Sequence, residues 1–205
     1  MEAPGTEVVE AAPLRYLLSV PSAPGPRPVL CFLHGYDEAA PMDIRRALTL
    51  HGPLRPGNPP LDFIVVAPQL PRAGDVWHRY ADDVRGIVSA VQARHDGDAA
   101  RTYLTGFSFG GNGVFDLALA QPGIWAALWA VDPTRVPQRD PGLPVWLSFG
   151  EVARRQTPGF TRVLSLRAEG DRVGLDEGED HVGSAAHAYR DERIYRWLLA
   201  NSLPG

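Results

Sequence analysis

Short apolar, β-branched runs alternate along the chain with longer segments of helical period, and clusters of Pro and Gly separate them. No other feature constrains the fold as much, because such alternation implies a mostly parallel sheet covered by helices on both faces. The expected strands are Leu14 to Val20, Val29 to Leu33, Phe63 to Ala67, Thr102 to Thr105, Ala127 to Val131, Val145 to Phe149 and Arg172 to Asp176, about seven in all. Helical spacing is expected over Asp43 to Leu50, Tyr80 to Arg94, Asn112 to Ala120, Phe160 to Ala168 and Ala185 to Ala200. In the second of these Val84, Ile87, Val88 and Val91 form one apolar stripe, as a helix packed on a sheet requires. Pro-rich stretches at Pro21 to Pro28, Pro53 to Pro60 and Pro133 to Pro144 are connections, too short to be interdomain linkers. There is no internal repeat, and 205 residues suit a single compact domain, residues 1–205.

Composition removes several function classes. A net charge of -4 argues against a nucleic-acid partner. Every basic chain is Arg, so neither Schiff-base chemistry nor the lysine of a phosphate loop is available. Cys31 is the only cysteine and lies inside Val29-Leu30-Cys31-Phe32-Leu33, which excludes an internal disulfide and makes it a core thiol. The histidines and the cysteine are scattered, without metal-ligand spacing. Met1-Glu2-Ala3-Pro4-Gly5 is acidic and does not resemble a secretory signal, and no apolar run reaches membrane-spanning length, so the expected location is cytoplasmic, with no membrane partner.

The segment that carries chemistry follows the strand Thr102-Tyr103-Leu104-Thr105 directly and runs Gly106-Phe107-Ser108-Phe109-Gly110-Gly111. This is the nucleophile elbow pattern, a sharp strand-to-helix turn in which small residues two positions either side of Ser108 prevent collision. A helix starting at the serine adds unpaired N–H groups that favour a developing oxyanion. The strand ending at Leu33 is followed by His34-Gly35-Tyr36-Asp37-Glu38, a loop placed to supply a second donor. The two expected donors are the backbone N–H groups of Phe109 and Tyr36.

Serine needs a base, and in this arrangement the histidine comes last in chain order. Only His181 and His187 qualify. His181 is preferred, because it lies in a loop after the last expected strand, whereas His187 falls where the C-terminal helix should have begun. His34 is read as a loop brace, and His51, His78 and His95 as surface or packing residues.

Several stretches resemble the polyhydroxybutyrate depolymerase-like esterases and the related phospholipase/carboxylesterase and feruloyl esterase families. They are Leu14 to Leu18 leading to His34-Gly35, Ala67-Pro68-Gln69 with Trp77 downstream, Asp98 to Gly111, Trp125 to Leu128, and His181 followed by Tyr189, Tyr195 and Trp197. Arg101 to Gly111 is the most specific piece. The resemblance implies an α/β-hydrolase fold without a lid domain and a serine esterase of Ser/His/acid type that needs no cofactor. In such families the acid follows the strand equivalent to Val145–Phe149, yet the matching position here is Ala153. Asp132, which ends the preceding strand before Pro133 and has a precedent in some lipases of this fold, is the first replacement. Glu151 is the alternative, and an absent acid is the third reading.

The expected activity is therefore hydrolysis of a small-molecule or polymer-derived carboxylic ester by Ser108, His181 and an acid, through an acyl-enzyme. A catalytically impaired binding module and a serine peptidase are the rival readings. Trp77, Tyr36, Phe107 and Phe109 are candidate pocket residues, with Phe107 more simply read as packing beneath the elbow. Nothing in the sequence indicates the oligomeric state.

Overall fold

A computed structural model describes residues 5–11, 13–22, 25–59 and 62–204. The N-terminal residues Met1 to Pro4, and Ala23, Pro24 and Pro60 of the proline-rich connections, lie outside the described residues. One eight-stranded sheet carries the fold, in the order β1-β2-β4-β3-β5-β6-β7-β8. These strands are β1 (Thr6–Val9), β2 (Tyr16–Ser19), β3 (Arg27–Leu33), β4 (Ile64–Pro68), β5 (Gly97–Phe107), β6 (Ala127–Val131), β7 (Val145–Phe149) and β8 (Arg172–Asp176). β1 and β2 pair antiparallel with their neighbours, and every pairing from β4 to β8 is parallel.

Strand alternation sorts side chains into two cores. From β3, β4 and β6, residues Val29, Cys31, Leu33, Ile64, Val66, Leu128 and Ala130 face one side. Leu30, Phe32, Val65, Ala67, Ala127, Trp129 and Val131 face the other. Both sets are buried because helices cover both faces, which is why these strands read as unbroken apolar runs. The first face is covered by α2 (Ala81–His95), α3 (Phe109–Ala120) and α5 (Thr157–Leu164). The second is covered by α1 (Ile44–Leu48), α6 (His181–Ala188) and α7 (Glu192–Leu199). A short helix, α4 (Glu151–Arg154), follows β7. Burial pushes the Cys31 thiol far up, away from the reactive thiolate.

Three expectations need correction. The sheet has eight strands rather than about seven, because the short, partly exposed edge strand β1 carries no alternating apolar signal. The single C-terminal helix expected over Ala185 to Ala200 is two helices. Tyr189 turns inward and is fully buried, and the Asp191 side chain accepts the Arg193 N–H at 2.9 Å to start α7 afresh. The third is that His181 is the first residue of α6 rather than part of a loop. Asp180 caps this helix by accepting the Gly183 N–H at 2.6 Å. Among the described residues no helix is long and apolar enough to cross a membrane.

Candidate active site

Loops at the carboxyl ends of β3, β5, β6 and β8 converge, the position where open parallel sheets form crevices. Between β5 and α3 the chain reverses at Ser108, which adopts φ 57 and ψ -116. A side chain at positive φ is strained, and the surroundings hold it. The Ser108 N–H donates to Val131 O at 2.9 Å, fixing the turn to β6. A methyl on Gly106 would lie 2.4 Å from Gly110 O, and one on Gly110 would lie 1.8 Å from Leu33 O. Both glycines are therefore required by close backbone approach.

Asp132 directly follows β6, with φ 40, and is fully buried. Its Oδ1 accepts the N–H groups of Gly150 at 3.0 Å and Ala153 at 2.7 Å, and its Oδ2 accepts that of Val152 at 3.2 Å. Three backbone donors in place of water allow a buried carboxylate. A methyl on Gly150 would sit 2.5 Å from Asp132 Oδ2, so this turn also needs glycine.

The His181 ring spans the two groups. Its Nδ1 is 2.5 Å from Asp132 Oδ2 and its Nε2 is 3.0 Å from Ser108 Oγ. A carboxylate only accepts, so Nδ1 carries the proton and Nε2 turns its lone pair to the hydroxyl. Phe107 lies against the imidazole with ring centroids 4.7 Å apart, and Ser184 Oγ donates to His181 O at 2.7 Å. Phe107 thus supports the ring, and Ser184 ties down the backbone that carries it.

On the β3 side, His34 is fully buried. The Leu70 N–H donates to its Nε2 at 3.0 Å, leaving Nδ1–H to donate to Gly35 O at 2.6 Å. Burial holds its pKa below the usual value, and the imidazole is neutral. Trp77 Nε1 donates to His34 O at 3.2 Å. The sequence suggests Trp77 for the substrate pocket, but only 2% of it is exposed. Its ring packs on Gly113 and edge-on to His34 because its indole N–H finds an acceptor there. It braces the loop rather than lining a pocket.

Tyr36 opens a 3₁₀ turn, Tyr36–Glu38, and Phe109 opens α3, so neither backbone N–H has a partner within its own helix. Their rings meet edge-on with centroids 5.2 Å apart, and a methyl on Gly35 would lie 3.5 Å from Ser108 Cβ. The two N-termini therefore flank the serine. Tyr36 is 47% exposed, at the rim. Glu151, the alternative acid, faces outward and pairs with Arg155. Its backbone neighbours turn towards Asp132 while its side chain leaves. His187 contacts Glu179 at 3.4 Å on the exposed face of α6.

Two groups with no role in the sequence reading also adjoin the site. Glu38 is 3% exposed, accepts the Gly35 N–H through Oε2 at 2.5 Å, and contacts His51 Nδ1 through Oε1 at 2.6 Å. The His51 ring lies 5.1 Å from Phe107. The spacing from Gly35 to Glu38, an acid three residues after a helix cap, is the sequence signal that finds the first of them.

No protein-family model matches the chain, and no curated protein matches it. Solved structures do. A thermostable esterase matches with a TM-score of 0.78 and 20% identity over 96% of this chain, which spans 62% of that esterase's length. An S-formylglutathione hydrolase from Agrobacterium tumefaciens matches at 0.67 and 14% identity, covering 95% of this chain and 94% of that one. One from Staphylococcus aureus matches at 0.68 and 14% identity, covering 97% and 99%. With the strand order, the serine turn after β5 and these three likenesses together, the chain has the α/β-hydrolase fold.

Proposed function

We propose that the chain is a serine hydrolase of carboxylic esters, with Ser108 as nucleophile, His181 as general base and Asp132 as the acid. The observation that carries this reading is the His181 ring, within 3.0 Å of Ser108 Oγ on one side and 2.5 Å of Asp132 on the other. As Ser108 Oγ attacks the ester carbonyl, Nε2 takes its proton, and the backbone N–H groups of Phe109 and Tyr36 receive the oxyanion. His181 then protonates the departing alcohol, leaving an acyl-Ser108. Water, deprotonated by the same nitrogen, releases the acid product. Asp132 keeps the imidazole in its working tautomer and stabilises the imidazolium. Each step uses the chain's own groups and water.

An apolar acyl or alcohol portion suits the rim. Tyr36, half exposed, stands beside the proposed oxyanion site with its ring against Phe109. The named activities of the structural neighbours, esterase and S-formylglutathione hydrolase, agree with acyl transfer. The test is turnover of a short-chain nitrophenyl ester by the native chain and by Ser108→Ala. The variant is expected to lose at least about 10⁴-fold in kcat while staying folded. Hydrolysis surviving in Ser108→Ala overturns the assignment.

A further inference from the structure

From the pair of a buried carboxylate and a half-buried imidazole on the β3 side of the site, we infer that Glu38 and His51 are positioning residues that set the proposed oxyanion loop and keep its carboxylate from opposing the oxyanion. The inference rests on the reading of Tyr36 N–H as an oxyanion donor. Glu38 Oε2 holds the Gly35 N–H at 2.5 Å, one peptide before that donor. Gly35 φ -77 and ψ -174 orient the peptide plane joining it to Tyr36, and the Glu38 bond fixes the plane preceding it. Gln69 Nε2 anchors the far end of the turn by donating to Glu38 O at 2.9 Å. Both ends of the three-residue turn are thus tied down.

Such a tie introduces a problem of charge. A methyl built on Gly35 would lie 3.0 Å from Glu38 Oε2 and 3.5 Å from Ser108 Cβ, so the carboxylate and the serine flank the same residue. A bare buried carboxylate there would raise the energy of a negative charge forming at the ester oxygen. His51 answers this by contacting Glu38 Oε1 through Nδ1 at 2.6 Å, which makes that nitrogen a donor to the carboxylate. The imidazole also packs on Phe107, 5.1 Å between centroids, and Phe107 in turn packs on His181 at 4.7 Å. Two carboxylate–imidazole pairs therefore pack against one phenyl ring. Asp132 and His181 reach the serine, while Glu38 and His51 reach the loop beside it.

The pair is tested with Glu38→Ala, His51→Phe and the double variant Glu38→Gln/His51→Phe, reading kcat and KM on a nitrophenyl ester, fluorophosphonate labelling of Ser108, and amide hydrogen exchange of the segment 33–39. Glu38→Ala and His51→Phe should each lower kcat about 10- to 100-fold, with KM within about 2-fold of the native chain and faster exchange over 33–39. The double variant should recover at least about 5-fold of the kcat lost in His51→Phe, because the glutamine amide oxygen still accepts the Gly35 N–H without carrying a charge. A residue that only packs gives no such rescue. Native kcat and exchange in both single variants overturn the inference, as does a double variant no better than His51→Phe. If Glu38→Ala does not fold, His51→Phe and the double variant decide alone. A native chain that neither turns over ester nor labels at Ser108 overturns the hydrolase reading and with it the oxyanion role of the loop. Native-like variants of a chain that does turn over overturn the inference alone.

Discussion

The backbone N–H of Ala153 donates to Asp132 Oδ1 at 2.7 Å. The segment after β7 thus meets, with a main-chain donor, a carboxylate that follows β6. The carboxylate reaches His181 from the neighbouring strand, and α4 encloses it.

Asp132→Asn should therefore act on two quantities. Its amide cannot hold the His181 tautomer, and kcat should fall about 10³- to 10⁴-fold. An NH₂ group facing the donors of Gly150, Val152 and Ala153 should also cost about 2 kcal/mol of stability. Steady-state kinetics and urea unfolding measure the two separately.

Tyr36→Pro removes one backbone N–H with little change of path, since Tyr36 is the first residue of its turn and Gly35 is already extended. The expected result is a loss of about 10²- to 10³-fold in kcat, against a small effect of Tyr36→Ala, which keeps the N–H. Equal activity in the two variants would remove Tyr36 N–H from the oxyanion site.

Two Gly→Ala changes should move stability in opposite directions. At Gly110 the new methyl would overlap Leu33 O at 1.8 Å, costing about 3 kcal/mol or preventing folding. At Gly86, inside α2 with nothing within 4 Å, it should stabilise by about 0.5–1 kcal/mol through helix propensity. Thermal unfolding of both variants checks the pair.

His34 makes stability depend on pH. Its folded pKa is lowered from 6.5 by burial, so the unfolded chain takes up a proton first as pH falls. Stability from this group is complete above about 6.5 and declines from there down to the folded pKa, with a slope of up to about 1.4 kcal/mol per pH unit. Urea midpoints measured from about pH 7.5 to about pH 5, which brackets the ordinary histidine pKa, should show that decline. His34→Asn should flatten it while lowering stability throughout. An unchanged slope in the variant would assign the pH dependence elsewhere.

Much of the fold is legible in the sequence because β3, β4, β6 and β7 are buried on both faces, and burial on both faces writes itself as an apolar run. β1 is not, since an edge strand has half its surface in solvent and little pattern to show. The break between α6 and α7 depends on Tyr189 finding Thr105 Oγ1 at 3.0 Å, a contact across 84 positions that no local spacing encodes. In the site, Ser108 stands out because its turn demands glycine at fixed offsets. Asp132 has no such signature, because what suits it to its place is three N–H groups belonging to other residues. Glu38 shows only its spacing from Gly35, and its pairing with His51 is hidden, since it spans 13 positions and crosses from one turn to another.

The way α4 holds Asp132 also sets what evolution can alter there. Beyond Gly150, the β7–α4 connection meets the carboxylate with main-chain atoms alone, and the side chain of Glu151 points away to Arg155. Side chains at 151 and 152 are free to drift, whereas an inserted or deleted residue would withdraw the donors together. Homologous chains built this way should vary in spelling along that connection and keep its length.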